Sequence, residues 1–237
     1  MEKRVEFKIG SETLRGKLYI PKGKGPFPGV IFFHGSGSKG IKHYEAASLL
    51  PKENMIGFCF NFRGCGESDG NFSEQTHQDE LDDAQKAFEF FLKQNIDKNR
   101  IGVVGGSFGG YLITMLLNEI KIKSLVLQAP AACNHKPSDI IDVGGLKNEI
   151  AYFEKRSNWE NSPNFTNIQK FSGPLLIIKS ENDENVPSAV LDKYFDSAKK
   201  SSRKEMKTIE GADHRISEIS WKQQYFDLTL NWFLETL

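Results

Sequence analysis

Cysteine is scarce in this chain of 237 residues: there are three, Cys59, Cys65 and Cys133. An odd count with no C-x-x-C pair excludes a disulfide scaffold and offers no zinc or thiol-redox motif. Excess charge of one sign is missing too, since 31 Lys and Arg face 31 Asp and Glu. That balance removes the general attraction by which basic proteins hold nucleic acid or anionic membranes, so neither partner is expected. No apolar run approaches the roughly 20 residues that cross a bilayer. The opening stretch, Met1 to Ile9, alternates polar and apolar residues where a signal peptide would have a continuous apolar core. A cytoplasmic location is the expectation. The patterns G-x-x-x-x-G-K-[ST] and H-E-x-x-H are also absent, and neither a metal nor an organic cofactor is implied.

What is present is the composition of a folded protein, with 38% hydrophobic and 26% charged residues, and a single domain over residues 1–237 is expected. Alternation over 3–9 and 13–20, joined by Gly10-Ser11-Glu12, predicts an antiparallel hairpin. Val30-Ile31-Phe32-Phe33 is a short, wholly apolar run of the kind a sheet covered on both faces requires. Helices and strands then alternate. Strands are predicted at 56–62, 101–104, 124–127, 175–178 and 205–209, and helices at 43–53, 73–94, up to 118, up to 200 and over 217–235. Eight strands, mostly parallel and separated by helices, make a doubly wound α/β sheet the economical architecture. Residues 132–172 break the alternation and exceed the usual loop of about 4–6 residues, so they read as a small cap over a site. Glu80, Asp82 and Asp83 read as solvated charges near a helix N-terminus, and Cys65 and Cys133 as small buried hydrophobes.

The strongest chemical signal is Gly105-Gly106-Ser107-Phe108-Gly109-Gly110. As a bare G-x-S-x-G pattern it is weak, and a phosphate-binding β-α turn is the competing reading. Its position, directly after an apolar strand and directly before a helix, is that of a nucleophile elbow. A serine on so sharp a turn is strained, and residues two places away come too close for side chains, which Gly105 and Gly109 satisfy. Such a hydroxyl needs a base, and the base an orienting acid. Of five histidines, His214 alone follows a late strand in a loop, Gly211-Ala212-Asp213-His214. Asp183 follows the strand at 175–178, with Glu181 and Glu184 as competing carboxylates. Each of the three groups falls after the carboxyl end of a different strand, the edge at which open α/β sheets place their sites.

With these residues in view, the chain resembles the α/β-hydrolases over essentially its whole length. The features that match, in order, are His34-Gly35, Arg63-Gly64-x-Gly66-x-Ser68, the turn around Ser107, and the loops holding Asp183 and His214. The small-cap branch, which includes bacterial carboxylesterases, feruloyl-esterase-like and dienelactone-hydrolase-like proteins, is the most similar. This resemblance implies Ser107 as nucleophile, His214 as general base and then acid, and Asp183 as its orienter. It also implies an oxyanion hole made by the backbone N–H groups of Phe108 and Ser36, with Gly37 as the alternative to Ser36. Ser180 stands where many relatives have glycine, and serine at 107 disfavours both the cysteine-dependent dienelactone reaction and the aspartate-dependent halide-releasing one.

The expected activity is hydrolysis of carboxylic esters of short to medium acyl length through an acyl-enzyme, with a small-molecule ester as the partner. Protonation of His214 should then slow the reaction on the acid side. Tyr111, Tyr152, Phe153 and Trp159 are expected along an apolar pocket. A thioesterase with the same three residues and a non-hydrolytic ligand receptor on the same fold are the alternatives. Peptidases of the superfamily usually carry a large extra domain, so at this length a peptidase is not expected. Oligomeric state is not legible.

Overall fold

A computed structural model describes residues 1–134, 152, 153 and 155–237. Its eight strands are β1 (Glu2–Ile9), β2 (Glu12–Tyr19), β3 (Phe27–Phe33), β4 (Ile56–Asn61), β5 (Ile96–Gly106), β6 (Ser124–Gln128), β7 (Leu175–Asn182) and β8 (Lys204–Asp213). They form one sheet in the order β1-β2-β4-β3-β5-β6-β7-β8. β1 pairs antiparallel with β2 and β2 antiparallel with β4, and every other neighbouring pair is parallel. Gly10, at φ 55, turns the predicted hairpin.

Parallel pairing requires crossovers, and the helices supply them on both faces. Alternate residues of each central strand therefore enter different cores. Ile31, Phe33, Val103, Leu125, Leu127, Leu175 and Ile177 pack on one side. Val30, Phe32, Val104, Val126, Leu176 and Ile178 pack on the other. The first core is covered by α2 (His77–Phe91), α3 (Phe108–Leu116), α4 (Pro163–Ile168) and α5 (Ser188–Ser197). The second is covered by α1 (Ile41–Leu49) and α6 (Ile219–Thr236).

Several boundaries differ from the predicted ones for local reasons. α1 ends at Leu49 because Pro51 follows, and Leu50–Glu53 continues as a 3-10 turn closed by left-handed Asn54 at φ 56. α2 starts at His77 instead of residue 73. Thr76 Oγ1 accepts the Asp79 N–H, and the Asp79 carboxylate accepts the Thr76 N–H, a capping box that fixes the first turn.

The solvated reading of the α2 acids needs correction for two of the three. Asp82 is exposed, whereas Glu80 and Asp83 are buried. Asp83 accepts hydrogen bonds from the Arg63 backbone N–H at 2.8 Å and from Arg63 Nε at 2.7 Å. Burial, with the Asp83 charge beside it, holds the Glu80 carboxyl well above the usual range. The Arg63–Asp83 pair anchors the loop after β4, in which Gly64 and Gly66 take φ 70 and 55. Arg63→Ala would leave Asp83 buried without its cation and should destabilise the fold by about 3–5 kcal/mol, read from urea unfolding.

Part of the expected cap, residues 135–151 and 154, lies outside the described residues. Its later part packs inward, since Trp159, Phe165 and Ile168 belong to the α2–α5 core.

Candidate active site

Ser107 sits between β5 and α3 with φ 50 and ψ −118, a conformation that side chains rarely take. The turn is sharp because its surroundings are close. A Cβ on Gly105 would lie 2.7 Å from Gly110 Cα, and one on Gly109 would lie 2.2 Å from the Phe33 carbonyl oxygen. Both glycines singled out in the sequence thus allow backbones to meet at van der Waals distance. The Ser107 N–H donates to the Gln128 carbonyl at 2.8 Å, which ties the turn to the end of β6.

The loops after β7 and β8 bring the other two groups to it. Ser107 Oγ and His214 Nε2 are 3.0 Å apart, and His214 Nδ1 lies 2.9 Å from each carboxylate oxygen of Asp183. An ionised carboxylate only accepts, so Nδ1 carries the proton and Nε2 is left free to take one from the hydroxyl. Asp183 Oδ1 also accepts the N–H groups of Asn185 and Val186, which hold the carboxylate in place. Glu181 and Glu184 have a different use. Each accepts a backbone N–H of the β8 loop, that of Gly211 and that of His214 respectively, and neither bonds the imidazole.

His34 shapes the loop after β3. Its Nδ1 donates to the Gly35 carbonyl at 2.8 Å, and its Nε2 accepts the Phe62 N–H at 3.3 Å, which defines a single neutral tautomer. Burial pushes its pKa down to about 4. The unfolded chain takes up this proton from about pH 6.5 downward, the folded chain only near pH 4, so stability is lost as pH falls through that window. His34→Gln should flatten the pH dependence of the unfolding free energy below about pH 6.5 by up to about 3 kcal/mol, measured by urea titration at each pH.

The loop held by His34 faces Ser107: a Cβ on Gly35 would lie 3.2 Å from the Ser107 Cβ. Among the described residues, the N–H groups of Ser36 and Phe108 have no protein acceptor.

A cavity of about 670 Å³ opens at Ser107. Its walls come from the loop at 35–40, the start of α1, and His214 to Ser217, with Gln128 and Phe72 between them. The expected aromatic lining is not there. Tyr111, Phe153 and Trp159 are buried in the core, and Trp159 Nε1 donates to the Phe153 carbonyl. Tyr152 donates its hydroxyl to the Asn158 carbonyl. Aromatic residues near a site satisfy core packing as readily as ligand contact, and here packing accounts for all four.

Two residues at the site were not singled out in the sequence. Gln128 donates from Nε2 to the His214 carbonyl, and its Oε1 accepts from Lys42 Nζ at 2.6 Å. A buried glutamine closing an apolar strand was the signal available for the first. Nothing local marks Lys42. Among the described residues no group of His, Cys, Asp and Glu is arranged to hold a metal, and no helix is long and apolar enough to cross a membrane.

The chain is similar to Esterase EstD of Thermotoga maritima, 30% identical over 127 residues that make up 50% of this chain and 31% of EstD. It is 26% identical to acyl-coenzyme A amino acid N-acyltransferase 2 of Rattus norvegicus, over 90% of this chain and 54% of that protein. The chain thus spans about half or less of the length of these relatives. In three dimensions it matches Est1E of Butyrivibrio proteoclasticus, solved with ferulic acid bound, over 98% of both chains with a TM-score of 0.76 at 18% identity. The fold is that of the α/β-hydrolases. The sequence profile of the prolyl oligopeptidase family covers residues 42–237, so the peptidase kinship set aside on length returns at the level of the family. By that match, the chain belongs to the prolyl oligopeptidase family of α/β-hydrolases.

Proposed function

We propose that this protein hydrolyses carboxylic esters of short to medium acyl length through an acyl-enzyme on Ser107. The observation that carries the reading is the unbroken line Asp183–His214–Ser107 on a strained strand-to-helix turn. Ser107 Oγ attacks the ester carbonyl carbon as His214 Nε2 takes its proton. The bond to the alcohol oxygen then breaks, and the same proton passes to the departing alkoxide. Water repeats the sequence, giving a proton to His214 and its oxygen to the acyl carbon, which releases the acid and restores Ser107.

Negative charge on the carbonyl oxygen would be met by the N–H groups of Phe108 and Ser36, each donor of this kind being worth about 3–4 kcal/mol of barrier. Gly37, next along the same loop, is the alternative second donor. The cavity, about 670 Å³ and mostly polar in its lining residues, suits a small soluble ester.

The similarity to a protein named for acyl-coenzyme A favours one second reading, cleavage of a thioester by the same steps. A fluorophosphonate probe should label Ser107, and p-nitrophenyl butyrate and butyryl-coenzyme A assayed side by side should show the oxygen ester turned over faster. Faster thioester cleavage would select the second reading. Ligand binding with no labelling at Ser107 would reject both in favour of a receptor.

A further inference from the structure

The cavity beside Ser107 has an uneven charge. Among the described residues, Lys39, Lys42, Arg215 and Lys222 line it and no Asp or Glu does. Lys39 and Arg215 are exposed at its mouth, and Lys222 lies 3.5 Å from Glu45. Lys42 differs from all three. Its Nζ reaches inward between Gln128 Oε1 at 2.6 Å and the Arg215 carbonyl at 3.3 Å, both uncharged acceptors. Among the described residues no carboxylate pairs with it. Asp213 bonds Ser217, and Asp183 is committed to His214 and two backbone N–H groups.

The Asp213 and Asp183 charges attract this half-buried ammonium through space, but the atoms it bonds are both uncharged, and an ammonium has a third donor to give. The position of Lys42 says which part of a substrate would meet it. Arg215, whose carbonyl it holds, directly follows His214, and Gln128 bonds both Lys42 and the His214 carbonyl. The ammonium therefore belongs to the imidazole wall of the cavity. In ester cleavage the imidazole hands its proton to the leaving oxygen, so the alcohol portion faces this wall.

We infer that the preferred substrates are esters whose alcohol portion carries a carboxylate, received by Lys42 with Lys39, Arg215 and Lys222 drawing it in. This rests on the hydrolase reading above and adds the substrate class. Burial pushes the Lys42 pKa down to about 7, so an incoming carboxylate would also restore the charge that burial works against.

The test compares 3-(butanoyloxy)benzoate with its neutral methyl ester, a pair with similar leaving oxygens and a single difference in charge. The wild-type protein should favour the carboxylate in kcat/KM by about tenfold, mainly through KM. Raising salt to about 0.5 M should shrink that preference. Lys42→Met should abolish it, and Lys42→Arg should retain most of it, so a misfolded methionine variant would still leave the salt series and the arginine variant to decide. Equal use of the two esters by the wild type, or a preference that survives in Lys42→Met, overturns the inference. If the wild type cleaves neither compound and Ser107 is not labelled by a fluorophosphonate, the hydrolase reading itself falls and takes this one with it.

Discussion

Ser107→Ala should lower kcat/KM for p-nitrophenyl butyrate by about 10⁴-fold or more while leaving the melting temperature close to that of the parent. The substitution removes one oxygen. It leaves the His214–Asp183 pair, the Ser36 and Phe108 N–H groups and the turn glycines as they are, so any residual rate reports binding and the donors alone. The Ser107 side chain is only partly buried and its bond is to His214, so its loss opens no cavity in either core. Activity within about tenfold of the parent would mean that another group attacks the carbonyl, and the mechanism proposed here would have to be abandoned.

Asp183→Asn should cost nearly as much, about 10⁴-fold, for a reason visible in the hydrogen bonds. Oδ1 of Asp183 accepts from the Asn185 and Val186 N–H groups. An amide at 183 satisfies them only with its oxygen, which turns its NH2 toward His214 Nδ1. Nδ1 must then become the acceptor, and the ring proton moves to Nε2, facing Ser107 Oγ as a donor where a base is needed. The loss should appear in kcat with little change in the unfolding midpoint. A variant retaining more than about a tenth of the parent kcat would show that Asp183 does not set the tautomer.

Much of this was readable before folding was considered. Each central strand contains a short apolar run, and residues such as Ile31 and Phe32 point to opposite faces simply because the side-chain period is two. Ser107, Asp183 and His214 could be chosen because a parallel sheet gathers its strand ends at one edge, however far apart they lie in the chain. What stayed hidden depends on partners supplied by the fold. Asp83 looked solvated because Arg63, which neutralises it, lies in the loop after β4. The three carboxylates near β7 are alike in sequence, and only the path of the loop gives Asp183 the imidazole and Glu181 and Glu184 the backbone of β8. Trp159 and Phe153 are apolar wherever they sit, and composition does not say which surface they cover. Lys42 resembles the chain's other lysines until the end of β6 and the loop after β8 close around it.

The φ of 50 at Ser107 has a consequence for how this chain persists through time. Glycine would adopt that conformation freely, whereas serine holds it at an expense on the order of 1–3 kcal/mol. Mutational drift guided by foldability alone would move the position toward glycine. Under the mechanism proposed here, the reactive hydroxyl is what that expense maintains.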